Sequence, residues 1–189
     1  GGCRAAPSQL MRQFVRRTPS LGCLMTDPDY YPPWLADALL TDSLPWDQAV
    51  STTLETFLQA YSLHDSCWIT FSLDPVYDGG GLAAIRWDTF WTEGRVAYPG
   101  DMVAGWPILL IRFKRVHGCR QTGYEIEAPV PTRGIAGAEC KSVADSPLMR
   151  TVVADHYGGQ LELEHAPDVD ILCVDRGGQV LSIPSFSAA

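Results

Sequence analysis

The chain predicts an α+β fold in which N-terminal helices pack on a mostly antiparallel β-sheet. Three observations carry this. Apolar residues recur at three- and four-residue spacing through Pro45 to Tyr61, the period shortens to two from Cys67 onward, and Gly-rich turns punctuate everything after that.

In the first third, residues 1–20 hold Arg4, Arg12, Arg16 and Arg17 and no acid. Ser8 to Arg17 suits a short helix closed by Pro19, either docked on acidic surface or left as a flexible end. Pro28, Pro32 and Pro33 interrupt regular structure, after which Trp34 to Leu40 makes two helical turns. The main helix is placed at Pro45 to Tyr61, with Val50, Leu54, Phe57, Leu58 and Tyr61 on one stripe and Asp42 or Ser43 as its cap. That helix packs on the sheet through Val50, Leu54, Phe57 and Tyr61.

In the β-rich part, Ile69, Phe71 and Leu73 alternate with Trp68, Thr70 and Ser72 as a first strand. The Asp78-Gly79-Gly80-Gly81 turn returns it as Leu82 to Trp91, with Ala83, Ile85, Trp87 and Trp91 facing the core. Leu109, Ile111 and Phe113 alternate with Leu110, Arg112 and Lys114 in a third strand whose outer face is basic. Gln121 to Pro147 is poorly periodic and accommodates one short strand near Tyr124 to Ala128 and a long loop. Four short strands then form a meander: Arg150 to Ala154, Gln160 to His165, Asp170 to Val174 and Gln179 to Ile183, with turns at Gly158-Gly159, Ala166-Pro167-Asp168 and Gly177-Gly178.

A chain of 189 residues buries roughly two-thirds of its unfolded surface or more, enough for one core. The reading is therefore a single domain over residues 1–189, mainly helical in 1–62 and β-rich in 63–184. With 46% hydrophobic and 19% charged residues the composition is globular. The net charge of −8 and a pI near 4.8 oppose nucleic acid and anionic membrane surfaces and favour basic partners. The longest apolar runs, such as Trp106 to Ile111, fall far short of a membrane span of roughly 20 residues. The cysteines, at 3, 23, 67, 119, 140 and 173, form no CxxC pair, so neither structural zinc nor any other cofactor is predicted and the thiols read as reduced in the cytoplasm. The opening Gly1-Gly2-Cys3 keeps a periplasmic lipoprotein as the alternative location.

Chemistry is sparse. His64-Asp65 places a carboxylate beside an imidazole, the minimum for an oriented base, but His117, His156 and His165 lack metal-ligand spacing. The bland reading has Asp65 turning the chain while His64 satisfies backbone. No GxSxG elbow is present, and Ser66 and Cys67 follow His64 too closely for a nucleophile to face its base. The Gly79-Gly80-Gly81 run joins strands and lacks the GK[ST] ending of a phosphate cradle. Glu162 and Glu164 share one strand face, and Asp168, Asp170 and Asp175 follow, giving the densest acidic cluster; it is either solvated surface or a docking patch for a basic partner. Trp34 and Trp46, beside prolines, suit a protein-binding rim.

Leu63-His64-Asp65-Ser66 entering a hairpin, the strand Leu109-Leu-Ile-Arg-Phe-Lys-Arg-Val-His-Gly-Cys119 and the closing meander of residues 160–183 resemble small bacterial β-rich proteins, some of them immunity proteins of polymorphic toxin systems. The resemblance covers roughly residues 60 to 184. The longer helical region and basic arm depart from it. It implies a non-enzymatic inhibitor that occludes the active site of a cognate, often basic toxin. Glu162, Glu164, Asp168 and Asp170 are then partner-binding residues, and a small hydrolase using His64 and Asp65 is the alternative.

Overall fold

The computed structural model describes residues 32–73, 79–90, 106–123 and 134–183. The basic arm, Trp91 and the strand expected near Tyr124 to Ala128 lie outside them. The described residues are 50% strand and 16% helical, which corrects the α+β expectation. Two antiparallel sheets, rather than helices packed on a sheet, make the fold.

The elements run α1 (Pro33–Thr41), a 3-10 turn (Trp46–Gln48), β1 (Val50–Thr53), α2 (Leu54–Ala60), β2 (Cys67–Leu73), β3 (Gly81–Arg86), β4 (Ile108–Phe113), β5 (Val116–Thr122), β6 (Ile135–Ser142), β7 (Met149–Asp155), β8 (Gln160–His165) and β9 (Asp168–Val174). Sheet A has the order β1-β9-β4-β3-β2 and sheet B the order β5-β8-β7-β6.

The main correction falls on Pro45 to Tyr61, where no single helix forms. Val50-Ser51-Thr52-Thr53 carries three β-branched residues that lose rotamer freedom in a helix and pack well on a sheet. The segment pairs with β9, Val50 opposite Ile171. Thr53 then caps α2, its hydroxyl accepting from the Thr56 amide at 3.1 Å, so the helix starts at Leu54 rather than near Pro45. Asp42, expected as that helix's cap, instead ends α1 in the left-handed region at φ 49°. Leu54, Phe57 and Tyr61 do face the core, while Val50 sits half-buried in a strand.

Sheet A is buried on both faces. One face presents Ala83, Ile85, Leu109, Ile111, Val169 and Ile171 to sheet B and α2. The other presents Ala84, Ile108, Leu110, Leu172 and Val174 to Leu35 and Ala38 of α1. This explains why β4 reads Ile-Leu-Leu-Ile: alternation disappears when both faces are dry. Among the described residues, a cavity of about 10 Å³ lies between the sheets, lined by apolar groups such as Trp68, Ile111 and Val153, which is room for about one water.

A bulge overrides the alternation expected in β2. Trp68 opposes Ile85 while Thr70 opposes the neighbouring Ala84, leaving Ile69 as the extra residue. Trp68 and Phe71 therefore pack toward sheet B, and Ile69 packs toward α1.

The sheets are continuous at one corner. β4 runs into β5 through Lys114 and Arg115, β8 runs into β9 through Ala166 and Pro167, and the Ala166 amide donates to the Arg115 carbonyl at 3.0 Å. One two-stranded ribbon, paired Phe113 to Val169 on one side and Val116 to His165 on the other, thus bends from sheet A into sheet B. His165 fills the bend fully buried, Nδ1 at 2.6 Å from the Ala166 carbonyl, Nε2 at 2.8 Å from the Thr151 hydroxyl, its ring 4.9 Å from that of Phe113. The neutral imidazole matches this pair: Nδ1–H donates to the carbonyl and Nε2 accepts from the hydroxyl.

Burial holds the His165 pKa below its ordinary 6.5, outweighing the opposite pull of the Ala166 carbonyl. The unfolded chain therefore binds a proton that the folded chain refuses, so stability is full above about pH 6.5 and falls as pH drops toward the folded value. Urea midpoints measured between pH 8 and 5 should decline below that point. A midpoint flat across the range would show that His165 ionises as easily inside as out.

On the α1 face of sheet A, Asp170 is buried, hydrogen-bonded by Ser51 and paired with Arg112 at 2.8 Å and Lys114 at 3.2 Å. Burial alone would raise its pKa, but these bonds outweigh it and hold the carboxylate below the ordinary range. Asp170→Ala should destabilise by about 1 to 3 kcal/mol, because it leaves the part-buried Ser51 hydroxyl without its acceptor, while Arg112 and Lys114, 40% and 46% exposed, can turn to solvent. A urea-unfolding loss under about 1 kcal/mol would show the Ser51 hydroxyl to be solvated as well.

Candidate functional site

The His64-Asp65 segment is a turn held from four directions. Trp87, fully buried against Phe57 and Tyr61 at ring distances of 5.8 and 5.5 Å, donates its indole N–H to the Ser62 carbonyl at 2.8 Å. The Ser62 hydroxyl accepts from the His64 amide at 3.0 Å. The Asp65 amide donates to the Ile135 carbonyl at 2.8 Å, and the Ile135 amide to the Ser66 carbonyl at 2.7 Å. The Ser66 hydroxyl, fully buried, accepts from the Asp88 amide at 3.0 Å. Asp65 is left at φ 62°, a conformation Asp and Asn tolerate better than other L-residues.

Opposite this turn lies the β7–β8 hairpin. The Asp155 carboxylate accepts from the Tyr157 and Gly159 amides, each at 2.8 Å, and Gly158 takes φ 86°, which closes the turn tightly. The His156 amide donates to the Gly134 carbonyl at 3.2 Å, bringing its ring over the 64–66 turn. Asp65 thereby meets two imidazoles: His64 Nδ1 lies 3.1 Å from Oδ2 and His156 Nε2 lies 3.1 Å from Oδ1. The rings stand edge-on, 5.7 Å between centres.

Spacing along the chain concealed His156, which is 91 residues from Asp65. Asp88 was concealed too. It is buried behind the turn, its carboxylate accepting from the Phe90 amide at 2.8 Å. Burial pushes its pKa up, the Phe90 amide opposes this, and the nearby Asp65 charge pushes it up further. Two exposed aromatics adjoin these residues in the chain, Phe90 two positions after Asp88 and 61% exposed, and Tyr157 next to His156 and 70% exposed. Among the described residues no three or more His, Cys, Asp and Glu side chains are placed to hold a metal ion.

Of the four predicted partner-binding acids, the structure brings Glu162 and Glu164 together on the outer face of sheet B. Both are neutralised there. Arg120 bonds Glu162 at 2.9 Å, and Arg150 bridges Glu162 at 3.2 Å and Glu164 at 2.8 Å. The Arg120 guanidinium holds the Glu162 carboxyl below the usual range. Asp168 and Asp170 lie on the other side of the molecule, on the α1 face of sheet A, with Asp168 exposed and Asp170 enclosed by its cations. Asp175 closes its own turn, accepting from the Gly177 and Gln179 amides. Trp34 donates to the Arg176 carbonyl, and Trp46 stacks on Arg112 at 4.4 Å.

The four described cysteines, Cys67, Cys119, Cys140 and Cys173, are free thiols; burial pushes Cys173 up to about 12. Among the described residues no helix is long and apolar enough to cross a membrane. No protein-family model, curated protein or solved structure matches this chain.

The left-handed backbone at Asp65 gives a direct check. Asp65→Asn should keep the unfolding temperature within a few degrees, since exposed ion pairs contribute at most about 1 kcal/mol. Asp65→Val should cost a further 1 to 2 kcal/mol or so through backbone strain. Equal stability of the two variants would remove the strained turn from the description of the site.

Proposed function

We propose that this chain is a non-enzymatic protein-binding module, an immunity-type inhibitor that covers the active site of a basic toxin in the cytoplasm. The observation that carries the reading is the half-exposed cluster of Asp65, His64 and His156, with exposed Tyr157 next to His156 in the chain and exposed Phe90 bonded through its amide to Asp88 behind the turn. Aromatic anchors beside fixed polar groups are how protein interfaces gain energy and orientation at once. The net charge of −8 supplies steering toward a basic partner. Asp168 is the exposed acid of the predicted four, while Glu162, Glu164 and Asp170 each already have a cation in contact and add little to that steering. The free thiols suit a reducing compartment.

One observation favours a hydrolase instead: His156 joins His64 on Asp65, so a single carboxylate orients two candidate proton carriers. Against it, the Ser66 hydroxyl beside them is buried and already bonded to the Asp88 amide, which removes the nearest nucleophile.

Affinity capture from an extract of the source cells should bring down one basic protein in a one-to-one complex whose affinity falls about tenfold or more as salt is raised through the physiological range. Turnover of a simple ester or phosphoester that disappears in His156→Ala, with unfolding temperature unchanged, would overturn the binding reading.

A further inference from the structure

Among the described residues, β5 pairs with a strand on one side only, that of β8, and five of its seven residues are exposed. The other sheet edges are better covered. β1 spans four residues, and the starts of β2 and β6 are joined to each other by a bridge between Cys67 and Gly134. The Val116 amide is taken by the Gly79 carbonyl at 2.6 Å, so the open edge begins at His117 and runs to Thr122. Monomeric proteins blunt such an edge with lysine, proline, a bulge or an inward-pointing charge. Val116 to Thr122 contains no lysine, proline or acid, and its bulge lies at the Val116 end. Arg120 shares the outer face with Glu162, which it bonds at 2.9 Å.

We infer that β5 is the contact of a homodimer, in which a second copy adds its own β5 antiparallel and two copies of sheet B become one eight-stranded sheet. Opposed side chains of a sheet point to the same face, so the two-fold axis passes beside a single residue. Arg120 on the axis would set two guanidinium groups against each other. Gly118 on the axis would pair Arg120 with Val116, whose amide is already taken. Cys119 is the remaining centre. It opposes Cys119 of the second copy, His117 opposes Gln121, and Gly118 opposes Arg120.

This register also matches charge. Across the outer face of one copy a row runs Arg150, Glu164, Gly118, and a second row runs Glu162, Arg120. The axis joins the first row of one copy to the second row of the other, so Glu164 meets Arg120 across the seam, and each dimer makes this contact twice. Gly118 keeps the path clear: Glu164 Oε2 lies 3.8 Å from where a Cβ on residue 118 would sit. Both groups are within reach, Arg120 being 71% and Glu164 37% exposed. The bond to Glu162 uses one of the five guanidinium N–H groups of Arg120. Dimerisation through β5 is independent of the toxin-binding reading, as Asp65, His64 and His156 take no part in it.

Sedimentation velocity of the whole chain from about 1 to 200 µM tests this, with Cys119→Lys and Arg120→Gln beside it. One pair of short strands is a small interface, so a monomer-dimer equilibrium with a dissociation constant on the order of 10 µM is expected. Cys119→Lys sets two ammonium groups against each other on the axis and should weaken dimerisation about tenfold or more at unchanged unfolding temperature. Arg120→Gln, at an exposed position that tolerates it whether or not Cys119→Lys folds, should weaken it about threefold or more. Cys67, Cys140 and Cys173 are buried, so in a Cys3→Ser, Cys23→Ser background a bismaleimide probes Cys119 alone. A linker of about 8 Å should couple the two Cys119 thiols, since opposed residues of antiparallel strands stand about 5 Å apart. A chain that stays monomeric throughout, dimers that both variants leave unchanged, or dimers without the Cys119 link overturns the inference. So does a monomer whose β5 amides gain protection only when another protein binds, which assigns the edge to a foreign strand.

Discussion

Burial of β4 and β9 on both faces is the constraint from which the rest of the molecule follows. Ile108 to Ile111 and Val169 to Val174 expose almost nothing, so each side of sheet A needs a cover. Sheet B and α2 cover one side, and α1 with Leu44 covers the other. The lone charged intrusion into this slab, Asp170, is tolerated because Ser51, Arg112 and Lys114 converge on it from β1 and from the β4 end. A buried carboxylate with that many donors fixes the register of its strands as firmly as an apolar contact does, since a one-residue slip would leave it bare.

Much of the β architecture was legible in the residues. β7, β8 and β9 were placed within two residues of their ends, because alternation and Gly turns coincide there. Ala83, Ile85 and Trp87 face the core as their period demands. The misreadings have distinct physical origins. Val50, Leu54, Phe57 and Tyr61 do lie at helical spacing, yet Val50 reaches the structure through a strand, since pairing with Ile171 outweighs the helical pattern in a β-branched run. β5 and β6 escaped notice because they are edge strands, β5 mostly exposed and β6 only partly covered, whose polar and small residues break the alternation. The face-swap in β2 comes from one inserted residue, which periodicity has no means to register.

The candidate site divides in the same way. His64 and Asp65 stood out as neighbours in sequence, but His156 and Asp88 reach them through the folding of separate hairpins, and no local spacing encodes that meeting. The acidic run from Glu162 to Asp170 shows the converse. Proximity in sequence suggested one patch, whereas the bend at Ala166-Pro167 sends Glu162 and Glu164 to one outer face and Asp168 and Asp170 to the other. Strand parity and a change of sheet, rather than distance along the chain, decide which carboxylates share a surface.

The bent ribbon at that corner also governs how the chain must fold. β4–β5 and β8–β9 are paired throughout, yet roughly half a hundred residues separate the two arms. Neither sheet can complete itself until both arms have found each other, so the loop must close before most of the core is rewarded. Topologies dominated by such distant pairings fold slowly, over milliseconds to seconds. A fragment ending before β8 has a sheet A without its β9 and a sheet B without its β8, so the two described sheets depend together on the ribbon that joins them.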